Sequence, residues 1–344
     1  MTIGNALMIV TVPAVETFDT ALCSFRRITK EWIHVKIYAV LFCLLTTSAA
    51  SLGQTVRIPA DGQEFSTALT AALRQLPNGG TVQLEAGTYI VARPCDPAGT
   101  DNITIQGVGP RTVIQFHQRY FGKEDRWLMN VTDEHDHWTF KDFTFDGNSR
   151  FSPRVCDRDK IVKLRGDFFT VERVTVQNEA GRGFVTILGN DSRWLNCTFN
   201  NIGTNAGDSS VVHPGNKFLH AHRVLVSGCM GDLGRGHKTT FVDAVASDVI
   251  VTNNIIRGGK TGVILSWWKG APENAVISNN ILQSSGRSCR LNRKRKQGEY
   301  PRVIITNNVL VGPLQNQFGS GFVDAGNTLT EPLRIQEPGF KSKN

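Results

Sequence analysis

The chain has 344 residues, enough to bury a large core, and a formal net charge of +8 with 20% of its residues charged. The positive balance points to an acidic partner, such as a uronic-acid polysaccharide or an anionic surface. Long basic runs are rare, which argues against a nucleic-acid footprint.

Residues 1–50 differ in character from the rest of the chain. Arg26, Arg27, Lys30 and Lys36 precede the apolar run Ile37 to Leu45, and Thr46 to Ala50 are small. Basic, then apolar, then small is the order of a secretory signal, with Ser48 and Ala50 placed for cleavage before Ser51. The run is short for a membrane span. The expectation is a secreted or periplasmic protein with no stable membrane insertion after signal removal. Five cysteines then remain (Cys95, Cys156, Cys197, Cys229 and Cys289), so at least one thiol is free or intermolecular.

Residues 51–344 read as one domain. Thr55 to Val91 opens it, with Phe65, Leu69, Leu73 and Leu76 on one face of a helix and Pro77 to Gly80 ending it. An amphipathic helix can cover the open edge of a stack of strands. Asn102 to Phe116 reads as a first full coil, and His117 to Asp136 as a polar excursion. Arg287 to Gln297 carries six basic residues and reads as a solvated loop. Leu314 to Asn344 loses the pattern and reads as a C-terminal cap.

Between these lies a repeat. Ser247–Gly259 (SDVIVTNNIIRGG), Asn274–Gly286 (NAVISNNILQSSG) and Arg302–Gly312 (RVIITNNVLVG) share one plan: a β-branched run, two asparagines, two apolar residues and a glycine turn. An apolar residue, the residue three later and the residue five later make a ruler for the rest. It finds Phe140/Phe143/Phe145, Val171/Val174/Val176, Trp194/Cys197/Phe199 and Val226/Cys229/Gly231. Then come Val251/Asn254/Ile256, Ile277/Asn280/Leu282 and Ile305/Asn308/Leu310. The first members step by 31, 23, 32, 25, 26 and 28 residues, a solenoid period without helical periodicity. Asn254, Asn280 and Asn308 are expected to stack inside one corner, bonding each other and the backbone that the bend leaves unpaired. Cys197 and Cys229 share that slot in adjacent coils, read here as stacked thiols.

With its asparagine corners and helix-then-strand opening, the chain resembles the right-handed parallel β-helix proteins of the pectate lyase-like superfamily, from about Thr55 to Glu337. The resemblance implies an all-β, right-handed parallel β-helix with an N-terminal capping helix, and a carbohydrate-active enzyme as a class tendency. It places substrate over the sheet that comes after the asparagine-corner strand. Counting from each corner, its strands are near Ile161–Arg165, Phe184–Leu188, Ser210–His213, Lys238–Val242, Gly262–Trp267 and Phe322–Asp324. With Val162, Leu164, Val212 and Phe241 inside, alternation turns Lys163, Arg165, His213, Lys238 and Thr240 outward. His237, Trp267 and Trp268 join them as substrate contacts.

Such a set suits β-elimination from a uronate, which needs cations on the carboxylate and a base for the C5 proton. Lys238 is the first candidate base, His213 the second, and Arg165 with Lys163 would neutralise the carboxylate. The expected partner is an acidic polysaccharide bound by a monomer. The acidic calcium cluster of pectate lyases finds no match, so Ca2+ is possible without a clear site. Two other readings stand beside the lyase. A glycoside hydrolase would draw its carboxylates from Asp208, Asp232 and Asp243. A non-catalytic carbohydrate-binding or adhesin solenoid would need neither set. His220-Ala-His222 and Glu134-His135-Asp136-His137 carry metal-ligand residue types but read as surface loops.

Overall fold

The computed structural model describes residues 53–95, 97, 99–120, 127–151, 160–179, 182–186, 189–203, 209–215, 221–234, 239–266, 274–292, 302–316, 322–329 and 334–335. These form a right-handed parallel β-helix, with sheets of eleven, ten and nine strands. Successive coils pair in parallel, so each strand lies on the equivalent strand of the coil before it, as Val226↔Val251 and Val251↔Ile277 do.

The corner between the first and second sheets explains why asparagine comes in pairs. One residue there holds a left-handed backbone: φ is 58° at Asn253, 56° at Asn279 and 55° at Asn307. Asp142, Arg173, Asn196 and Gly228 do the same job in earlier coils. Glycine and asparagine bear that conformation at least cost, so the first asparagine of each pair makes the bend. The next residue then points inward. Phe143, Val174, Cys197, Cys229, Asn254, Asn280 and Asn308 fill this slot and all are buried.

The inward asparagines bond as the pattern requires. Asn254 Nδ2 donates to Asn280 Oδ1 at 2.9 Å, and Asn280 Nδ2 to Asn308 Oδ1 at 2.9 Å. Each also donates to a strand carbonyl one coil back, Val226 and Val251 respectively. Below the amides, Cys197 and Cys229 are free buried thiols. Burial is the main cause that pushes the Cys197 thiol well above its ordinary range.

The opening helix is Phe65–Arg74. Glu64 caps it, accepting from the backbone N–H of Ser66 at 3.3 Å and of Thr67 at 3.0 Å. Phe65, Leu69 and Leu73 face inward against the first strands.

Four readings need correction. The polar excursion contains a strand, Met129–Glu134, which begins the third sheet. The basic loop contains another, Arg287–Asn292, with Cys289 packed inward beside Val263. The chain after Leu314 adds coil rather than only cap: Leu314–Asn316, Phe322–Ala325, Thr328–Leu329 and Arg334–Ile335 extend all three sheets. Phe322–Ala325 therefore belongs to the first sheet, pairing with Val303–Thr306, not to the third. The ruler missed this coil because Asp324 takes the position aligned with Ile305, although Asn327 continues the ladder by accepting from Asn308 Nδ2 at 2.8 Å.

Candidate functional site

The third sheet stacks Met129–Glu134, Lys160–Arg165, Arg182–Thr186, Ser209–Pro214, Thr239–Ala244, Thr261–Ser266 and Arg287–Asn292 in that order. One inward row runs Val162, Val212, Val242, Val263 and Cys289, all buried. The residue after each starts the neighbouring row. In register it reads Asn130, Lys163, Val185, His213, Asp243, Ile264 and Arg290, and alternation turns Lys163, His213, Asp243, Ile264 and Arg290 outward. Strands lie about 4.8 Å apart, so Lys163 and His213, two strands apart, are separated by roughly 10 Å along this row.

His213 is the best-defined group of the row. Its Nδ1 lies 3.6 Å from Asp243 Oδ2 and 3.3 Å from Ser210 Oγ. The imidazole side chain is 12% exposed and the carboxylate 25%. A carboxylate on that side favours the tautomer with a proton on Nδ1. Nε2 is then the nitrogen that can exchange a proton with a substrate. Both polar neighbours share Nδ1, so this is no Ser–His–Asp relay. Such a relay needs the hydroxyl on Nε2. Lys163 Nζ stands 5.5 Å from the centroid of the Trp127 ring, a cation–π distance. Arg165 is aligned with Glu134 on the preceding strand.

The structure thus brings Lys163 and His213 onto one outward row, with Arg165 two residues further along the Lys163 strand. Thr240 departs from its expected exposure and is 3% exposed. Strict alternation breaks here, because Phe241 and Val242 are both buried, as are Ile161 with Val162 and Val211 with Val212. Thr240 is closed in between Ser210 and Thr261, its register partners, which are also buried. Lys238, His237, Trp267 and Trp268 lie outside the described residues, as does Asp208. Asp232 is on a second-sheet strand, where it accepts from Gly234 N at 2.9 Å, so it and Asp243 occupy different sheets.

The sequence undervalued four contributors. Asp243 was read only as a hydrolase carboxylate, although its offset of one from Val242 already set its row. Arg290 sat in a stretch read as loop, and Trp127 in the excursion. Ser210 carried no separate signal. Of the histidine clusters, His220 lies outside the described residues, and His135 and His137 make other contacts. His135 Nδ1 is 3.4 Å from Asp101 Oδ1, and the His137 ring stacks on Phe168 at 4.4 Å. Among the described residues no group of three or more His, Cys, Asp or Glu could hold a metal ion.

No protein-family profile and no curated protein matches the chain. Solved structures do. The tailspike protein of E. coli bacteriophage HK620, in complex with a pentasaccharide, is 15% identical with a TM-score of 0.62 over 79% of this chain and 54% of that one. An alginate lyase from Paenibacillus sp. str. FPU-7 is 17% identical with a TM-score of 0.58 over 82% of this chain and 97% of that one. The chain thus spans about half the length of the tailspike chain and nearly all of the lyase chain. At these identities the likeness establishes the fold.

Proposed function

We propose that this is a secreted polysaccharide-active enzyme that acts on a uronate-containing glycan by β-elimination across the outer row of the third sheet. The observation that carries the reading is His213, with the Asp243 carboxylate 3.6 Å from its Nδ1 and in register with the cation Lys163 two strands away. Lys163 and Arg165 would neutralise the uronate carboxylate, which acidifies the C5 proton. His213 Nε2 would take that proton. The electron pair left on C5 would form the C4–C5 double bond as the C4–O4 bond breaks, and the departing oxygen would take up a proton from solvent water. Trp127 would offer a flat apolar face to a sugar ring. Lys238, the first choice from the sequence, stays a candidate for proton transfer, but the reading does not depend on it. The basic charge balance and the fold shared with an alginate lyase and a saccharide-bound tailspike support the same direction.

The test is a panel of uronate polysaccharides read by the ultraviolet absorbance of the unsaturated product. At least one should give new absorbance. His213→Ala should lower that rate about a hundredfold or more, the range of a general base. Asp243→Asn should lower kcat while leaving substrate binding nearly unchanged. New reducing ends without absorbance would make the protein a hydrolase instead. Binding without turnover would make it a lectin-like solenoid.

A further inference from the structure

A second concave site lies on another part of the solenoid, where the first sheet turns into the second near the N-terminal end. The cleft has a volume of about 560 Å³, and Arg57, Gln83, Glu85, Gln106 and Val108 are among the residues that line it. It exists because one corner is enlarged. Most corners of this kind pass in two residues, but the chain from Gly107 to Arg111 makes a 3-10 turn before the strand Thr112–Phe116. That turn is pinned by Val108 N donating to Thr112 Oγ1 at 3.0 Å and Gly109 N to Asp142 O at 2.7 Å. It stands as a wall beside the outward row Arg57, Gln83, Gln106.

We propose that this cleft binds one neutral sugar unit of a glycan, separately from the third sheet. Arg57 and Glu85 line the cleft, yet neither side chain forms an ion pair or hydrogen bond with another described residue. The Gln106 side chain likewise makes none. Gln83 is held in place, its Nε2 donating to Gln106 O at 3.1 Å and Leu84 O at 3.2 Å, which leaves its amide oxygen to accept. The cleft therefore presents a donor fork, a carboxylate acceptor and two amides, the groups that pair with vicinal hydroxyls. Val108, exposed at the rim, offers the apolar contact that a sugar's C–H face needs. Charge gives an acidic unit no advantage. Asp142, the remaining charged lining residue, is neutralised by a two-pronged contact from Arg173 at 2.7 and 3.0 Å. The two unpaired charges are then one of each sign, so a uronate here would meet Glu85 as well as Arg57. The third sheet, with Lys163, Arg165 and Arg290 against Asp243, carries a net excess of cations instead.

The full protein, with valine and leucine methyls labelled, would be titrated by NMR with neutral gluco-, galacto- and manno-configured tetrasaccharides and with a tri-uronate. At least one neutral probe should shift the Val108 methyl signals, and the tri-uronate should not. Arg57→Ala and Gln106→Ala should each weaken that binding about tenfold or more, the worth of a hydrogen bond to a charged or buried partner. His213→Ala should leave it unchanged, which separates this site from the catalytic proposal. The inference is overturned if no neutral probe moves Val108, if the Arg57→Ala/Gln106→Ala double variant binds as the parent does, or if the tri-uronate titrates Val108 equally well. A melting temperature for each variant confirms that the fold is intact, and the loss of lyase activity in any of them would not bear on the result.

Discussion

Replacing Asn280 by alanine measures what the asparagine ladder is worth. The side chain is 1% exposed. It accepts from Asn254 N at 3.0 Å and Asn254 Nδ2 at 2.9 Å, and donates to Val251 O and Asn308 Oδ1, each at 2.9 Å. Alanine removes all four bonds, but the consequences differ. Asn254 Nδ2 keeps Val226 O, and Asn308 Oδ1 keeps the backbone N–H of residue 280. Asn254 N–H loses the partner that Asn280 supplies, deep in the stack, whereas Val251 C=O still faces the ladder strand at Ser278. A buried group left unpaired costs about 1–3 kcal/mol, so the expected loss is about 2–4 kcal/mol with the small void included. Asn327 ends the ladder and is half-buried, so water can replace much of what it gives. Asn327→Ala should cost about 1 kcal/mol by the same reasoning. Urea unfolding of residues 51–344, followed by far-ultraviolet circular dichroism, reads both, provided the m-value is unchanged. A cost below about 1 kcal/mol for Asn280→Ala, or equal costs at the two positions, would refute the argument that buried satisfaction is what matters.

Two further outcomes concern titrating groups. Burial alone would raise the Glu64 carboxyl, but hydrogen bonds from Ala92, Thr67 and Ser66 outweigh it and hold the group below its ordinary value. Its contribution is therefore present above the unfolded carboxyl's range, about pH 4, and lost as pH falls through the depressed folded value. Glu64→Gln should be less stable than the parent at pH 7, by about 1 kcal/mol as for a lost helix cap. The gap should close in acid, and a gap that persists at low pH would show that the effect is packing. The thiols run the other way. Burial pushes Cys289 up to about 12 and Cys197 well above its ordinary range. Both favour the folded state below the unfolded thiol's range and lose that advantage as pH rises through it. Iodoacetamide at pH 8 should leave Cys197 and Cys289 unmodified in native protein and alkylate them once urea unfolds it, as peptide masses would report. Native-state alkylation at either would contradict their burial.

The interior of the solenoid was legible because it repeats. A slot that must be apolar, or must be asparagine, imposes the same residue type every 23 to 32 positions, and Phe143 to Asn308 could be aligned by eye. What escaped were coils where one position departs. Asp324 stands where Ile305 does one coil earlier, and its exposure at the end of the stack makes that tolerable. Gly107 to Arg111 lengthens one corner, so Ile114 aligns with Phe145 although the spacing from Ile105 differs. The strand Arg287–Asn292 was hidden by its charge: Arg287 and Arg290 dominate the composition, while Ser288, Cys289 and Leu291 are the residues that face inward.

The outer rows obey another logic, which is why the candidate sites were harder to read. A groove residue has no partner at a fixed interval in the chain. His213 meets Asp243 because Val212 stacks on Val242, and thirty residues of intervening coil set that register without leaving a trace near either residue. Parity within one strand could say that Lys163 and His213 point outward. It could not foresee that consecutive residues would be buried at Val211–Val212 and Phe241–Val242, or that Thr240 would be closed in. The departures from the repeat also mark the features most open to function. The excursion that interrupts the coils brings Trp127 to Lys163, and the one enlarged corner walls the cleft at Gln106. In a solenoid the stacked interior supplies the frame, so specificity has to be built where a coil differs from its neighbours.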